Sequence, residues 1–190
     1  MPDHTKFIDN YFDSLIKTIE NIDRKEISTL INLLINARDN GKQIFIMGNG
    51  GSASTASHFV CDFNKGASYG MRNRFKVICL NDSMSTLSAY ANDVGYETIF
   101  VEQLKNFLNP GDLVIGISGS GNSQNILLAI EYANSIKATT IGITGYDGGK
   151  LKKISNFSVN ANINDMQISE DIHAIINHIC MKSISNNCSC

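Results

Sequence analysis

The sequence has no cluster of lysine and arginine, and its 16 basic residues are outnumbered by 18 acidic ones, for a formal charge of −2. Proteins that hold a phosphate backbone by counterion release carry a basic patch, so nucleic acid is not an expected partner. No stretch approaches the ~18 uninterrupted apolar residues of a membrane helix. The opening MPDHTKFIDN lacks the charged-then-apolar layout of a signal peptide, which points to the cytoplasm. The five cysteines (Cys61, Cys79, Cys180, Cys188 and Cys190) include no C-x-x-C pair. An odd, scattered set supports neither a disulfide framework nor a structural zinc site. Cys79, inside FKVICL, reads as a core residue, and the terminal NNCSC as a frayed end rather than a metal ligand. Repeats, linkers and low-complexity tracts are missing too. What remains is 190 residues, 43% hydrophobic and 18% charged, enough for one domain over residues 1–190 with a full-sized core.

The first forty residues are helical in period. Phe7, Ile8, Tyr11, Phe12, Leu15, Ile16 and Ile19 form one apolar stripe. A second helix is expected from about Arg24 to Asp39, with Ile27, Leu30, Ile31, Leu34 and Ile35 inward and Asn40-Gly41-Lys42 as its stop. This extension either closes the core or packs on another subunit, and its long stripes favour an oligomer. From residue 41 onward, short apolar runs alternate with helical ones. Strands are expected at Gln43–Met47, Phe75–Leu80, Leu113–Ser118, Thr139–Thr144 and Phe157–Asn160. Helices are expected at Ser52–Lys65, Ser85–Ala91, Thr98–Leu108, Ser123–Ile136 and Met166–Ser185. That alternation predicts an α/β fold: three α/β/α layers around a five-stranded parallel sheet, with an N-terminal helical extension.

Three of the five strands run out into glycine and hydroxyl residues: GNGGSAS (48–54), GISGSGNS (116–123) and GITGYDGG (142–149). In an open α/β sheet, ligands bind beyond the carboxyl ends of the strands. Glycines let backbone amides converge, Ser52, Ser118, Ser120 and Ser123 add hydroxyls, and a helix N-terminus adds partial positive charge. Together they make an anion cradle without lysine or arginine. The nucleotide alternatives fit poorly. There is no G-x-x-x-x-G-K-[ST]. The G-x-G-x-x-G/A pattern is met by Gly48, Gly50 and Ala53, but the next strand ends about thirty residues on, rather than about twenty.

His58 and Asp62 are four apart on the helix after the first glycine turn and share a face. Glu170, His173 and His178 lie on the last helix, in EDIHAIINHI. His173 reads as structural, whereas His58, Asp62, Glu170 and His178 together read as a site for chemistry.

The segments GNGGSASTASHFVCDF, ANDVGYETIF, GDLVIGISGSGNSQNILLAIEYA, TIGITGYDGGKL and EDIHAIINHI occur in order along nearly the whole chain. They resemble the sugar isomerase (SIS) domain family, in particular its phosphoheptose isomerases. The resemblance implies a homotetramer with sites built from more than one subunit. The implied reaction interconverts sedoheptulose 7-phosphate and glycero-manno-heptose 7-phosphate, for surface polysaccharide. It also implies that Ser52, Ser118, Ser120 and Ser123 hold the phosphate, with Gly50, Gly51 and Gly119 in the same loops. Asn49 and Asp93 would contact the sugar chain, and His58 and His178 would bind zinc with the neighbouring acids. Two positions depart from the family pattern: Asp62 stands where glutamate is usual, and Glu170 where glutamine is usual. Aspartate is one methylene shorter, so its carboxylate falls back by about 1.5 Å. Either Asp62 or Glu170 is then expected as base and His178 as acid, with a metal held by His58, Asp62, Glu170 and His178. The other readings are a sugar-phosphate sensor of the same fold, or an isomerase, epimerase or lyase of a related sugar phosphate.

Overall fold

The computed structural model describes residues 2–187, so Cys188 and Cys190 lie outside the described residues. Five strands, β1 (Gln43–Gly48), β2 (Lys76–Cys79), β3 (Leu113–Ser118), β4 (Thr139–Gly145) and β5 (Phe157–Ala161), pair in parallel in the order β2-β1-β3-β4-β5. β1 and β3 are buried almost throughout, as strands covered on both faces must be. Successive side chains of β1 feed opposite cores. Ile44 and Ile46 join one core and Phe45 and Met47 the other.

On the first face lie α1 (Thr5–Asn21), α2 (Arg24–Asp39), α3 (Gly51–Cys61) and α8 (Met166–Asn187). On the second lie α4 (Met84–Asp93), α5 (Val101–Phe107), α6 (Gln124–Ser135) and the short α7 (Gly149–Ile154). The three layers are therefore as expected, while several boundaries move. A 3-10 turn at Tyr96–Thr98 precedes α5, so the helix expected over Thr98–Leu108 is shorter. α7 begins at a Gly-Gly pair that reads as a turn in sequence. Among the described residues, no helix is long and apolar enough to cross a membrane.

α2 holds its expected ends, with the Asp23 carboxylate accepting from the Lys25 amide at its start, and Leu30 and Leu34 fully buried. α1 splits its stripe. Tyr11, Leu15 and Ile19 pack on the core, and Tyr11 Oη donates to Asp171 Oδ2 of α8 at 2.6 Å. Phe7 (71%), Ile8, Phe12 and Ile16 stay exposed.

The helix expected over Ser52–Lys65 does not run through. α3 stops at Cys61, and Asp62–Gly66 form a π turn in which the Ala67 amide reaches the Asp62 carbonyl at 2.8 Å. Asn64 fixes this turn to β2. Its amide donates to the Val77 carbonyl, and its carbonyl oxygen accepts from the Val77 amide. Phe63, fully buried, stacks on Phe59 with centroids 4.5 Å apart and meets Phe75 edge-on at 5.0 Å. Phe63→Ala is expected to cost about 3–5 kcal/mol, read as a lower urea midpoint at unchanged m.

His173, 1% exposed on α8, has neither ring nitrogen partnered, in keeping with its structural reading. Burial drives its pKa from 6.5 to about 4. The unfolded chain takes up this proton near pH 6.5 and the folded chain only near 4. Stability from this group is therefore full above 6.5 and is lost as pH falls through 4, by roughly 3 kcal/mol in all. Urea midpoints followed from pH 7.5 down to 4.5 should decline on the acid side, and His173→Leu should flatten that decline.

Candidate functional site

β1 leads through α3 to β2 on one side, whereas the chain after β3 turns to the other face through α6. Adjacent parallel strands whose connections leave in opposite directions open a crevice at their carboxyl ends. The two serine-bearing loops are the ones that flank this crevice, since β1 and β3 are neighbours in the sheet.

Both loops line a single cavity of about 280 Å³. Asn49, Gly50, Gly51, Ser52, Ser118, Gly119, Ser120 and Ser123 are all in its wall, with Met166 and Glu170 from α8. Gly50 caps α3 at φ 56, a left-handed conformation that side chains resist, and the turn leaves the first amides of α3 beside the cavity. Ser118 Oγ accepts from the Gly121 amide at 3.1 Å and lies 3.3 Å from Ser123 Oγ. Ser123 begins α6 but makes no side-chain cap bond, so its hydroxyl stays on the cavity side. No arginine or lysine lines this wall. Amide and hydroxyl donors at two helix N-termini make it suited to a phosphate ester.

The Asn49 side chain is held from below. Its Oδ1 accepts from Asn125 Nδ2 and from Tyr96 Oη, each at 2.9 Å, and its Nδ2 donates to Asn125 Oδ1. Asn125 and Tyr96 fall inside the segments GDLVIGISGSGNSQNILLAIEYA and ANDVGYETIF, but neither stands out there as a candidate contact. Asp93, at the end of α4, stands apart from this cavity. It lines a groove with Ser85, Thr86 and Tyr90 and accepts from Asn92 Nδ2 at 2.7 Å.

Further along α3 and α8, which pack together, is a second cluster. His58 Nε2 and His178 Nε2 are 3.4 Å apart, and Asp62 Oδ2 lies 3.5 Å from the first and 3.7 Å from the second. The donors of a tetrahedral ion with bonds of about 2.0–2.1 Å sit about 3.3–3.4 Å from one another. These three atoms therefore match one face of such a tetrahedron, with the fourth corner left for a ligand from outside. The rings meet edge-on, with centroids 4.9 Å apart, and both imidazoles are 49% exposed. Glu170 is not in this group. It is half-buried, and its carboxylate packs against Gly51, so a side chain at that position would displace it. Of the four expected metal ligands, three come together and the fourth lines the serine cavity. The sequence gives weak notice of one further participant, Asn177, fully buried and donating to Asp62 Oδ2 at 2.8 Å.

The chain is similar to known proteins over most of its length. The SIS domain profile matches residues 7–145. A phosphoheptose isomerase of Helicobacter pylori is 36% identical over 167 residues, covering 88% of this chain and 86% of its own. One from Aliarcobacter butzleri is 33% identical over 177 residues, covering 93% of each. Among solved structures, the phosphoheptose isomerase of Neisseria gonorrhoeae superimposes with a TM-score of 0.89 at 25% identity, over 97% of this chain and all of its own. The chain belongs to the SIS domain family, in the group formed by the phosphoheptose isomerases.

Proposed function

We propose that the chain is an aldose–ketose isomerase that interconverts sedoheptulose 7-phosphate and glycero-manno-heptose 7-phosphate. It works in the cytoplasm as one unit over residues 1–190. The observation that carries this reading is the placing of one cavity with two serine loops and a His-Asp-His donor group along the same pair of helices and the π turn that ends α3. Ser52 and His58 are six residues apart on α3, about 9 Å along the axis, and Glu170 and His178 are eight apart on α8, about 12 Å. An extended seven-carbon sugar spans roughly 10 Å from phosphorus to C1, given C–C bonds near 1.5 Å. A phosphate seated among Ser52, Ser118, Ser120 and Ser123 would therefore bring the sugar's reacting end toward the imidazoles. Binding energy at the remote phosphate orients that end.

Isomerisation carries a proton between C1 and C2 through an enediol, and needs a base at carbon and stabilisation of charge at oxygen. Glu170 is the base in this scheme. It faces the cavity and accepts no hydrogen bond from the described residues, whereas Asp62 Oδ2 is taken up by Asn177 and the donor group. His58, Asp62 and His178 hold a divalent cation, and two imidazoles with one carboxylate suit zinc. When bound, such an ion polarises a carbonyl. His178 serves on the oxygen side of the substrate, where charge builds up. The exposed face of α1, with Phe7, Ile8, Phe12 and Ile16, supports burial between subunits of a homotetramer.

Turnover of sedoheptulose 7-phosphate in deuterated water, together with zinc content, separates these roles. Wild type should isomerise the sugar and wash deuterium into it. Glu170→Gln should lose about 10²–10⁴-fold in rate while keeping zinc. Asp62→Asn should lose zinc as well. A wild type that binds the sugar phosphate without turnover or exchange would be a sensor, and an undiminished Glu170→Gln rate would remove Glu170 as base. For the assembly, Phe12→Glu with Ile16→Glu should lower the mass seen by sedimentation from that of a tetramer. An unchanged mass would remove α1 from the interface.

A further inference from the structure

We propose that Asn177 is a positioning residue whose amide aims the Asp62 carboxylate, making Oδ2 the third corner of the metal-binding triangle. This rests on the metal reading of His58, Asp62 and His178. Asn177 is 0% exposed on α8, and its Nδ2 donates to Asp62 Oδ2 at 2.8 Å. That same oxygen is the one lying 3.5 and 3.7 Å from the two Nε2 atoms. A carboxylate oxygen offers two lone-pair directions. With the amide on one of them, the other is left for the imidazole side, and the bond opposes rotation of the carboxylate.

The cost of this arrangement speaks for its use. Asn177 Oδ1 is buried without a partner, as are both ring nitrogens of His173 one turn earlier on the same helix. An unsatisfied buried acceptor costs about 1–3 kcal/mol, and an apolar residue at position 177 would avoid it. The flanking residues Ile175, Ile176 and Ile179 show what this stretch of α8 otherwise uses. The return is geometric. An aspartate reaches about 1.5 Å less far than a glutamate would. The π turn at Asp62–Gly66 and the amide from α8 together set where its shorter carboxylate points.

The test is zinc affinity of the full-length protein by chelator competition, with the visible spectrum of the cobalt form as a second readout. Asn177→Ala should weaken zinc binding by roughly 10–100-fold and alter the cobalt spectrum. Asn177→Leu, which also fills the volume, should do the same, so that a cavity or a folding defect in one variant does not decide the result. Adding Asp62→Glu to Asn177→Ala should recover most of the lost affinity, because the longer side chain reaches the triangle unaided. Wild-type affinity in both single variants would overturn the proposal. So would a loss that Asp62→Glu fails to relieve, since that marks a purely structural bond. A wild type with no zinc affinity would overturn the metal reading itself, and this inference with it.

Discussion

Two neighbouring parallel strands, β1 and β3, pass their chains to opposite faces of the sheet, and the rest of the site depends on that divergence. It leaves a crevice where backbone from two loops must come close, so side chains there are small or missing. Gly50 is needed for its left-handed turn, and Gly51 leaves room for the Glu170 carboxylate that packs on it. The polar groups left in such a place are amides and short hydroxyls. On the proposed reading they would hold a dianion by convergence and helix dipoles rather than by formal charge. A net charge of −2 is compatible with such a site.

The crevice also fixes what lies farther away. α3 starts at its edge and α8 at its rim, and both run back along the same face of the sheet. Residues on the facing sides of these two helices therefore form a track leading from the cradle. His58 is about one and a half turns down one helix, and His178 about two turns beyond Glu170 down the other. Rigid helices hold such a distance better than loops do, and on the proposed reading a sugar gripped at one end would be measured against it.

Much of this was legible in the sequence, for identifiable reasons. The parallel sheet shows because β1 and β3 are continuous apolar runs that end in glycine and serine. The cradle residues show because turn chemistry and helix starts have local signatures, and eight of the expected contacts do share one cavity. Asp93 does not, because the C-terminal end of α4 faces a different groove. The π turn was hidden, since DFNKG continues a helical pattern. What stops the α-helix is a tertiary bond, Asn64 pairing with the backbone of Val77 thirteen residues on. The exposed half of the α1 stripe is legible as apolar, but a single sequence does not say which half meets the core.

The two departures from the family pattern make more sense together than singly. The shorter acid, Asp62 in the π turn after α3, is met by the amide of Asn177 and lies within 3.7 Å of both imidazole Nε2 atoms. Asp62 Oδ2 thus has three polar neighbours, the Asn177 amide and the two imidazoles. The acid gained on the last helix is in the opposite condition. Glu170 lines the serine cavity and accepts no hydrogen bond from the described residues. On the proposed reading the two changes belong together, because one carboxylate sits beside the imidazoles where a cation would be held and the other beside the cavity where the sugar would sit.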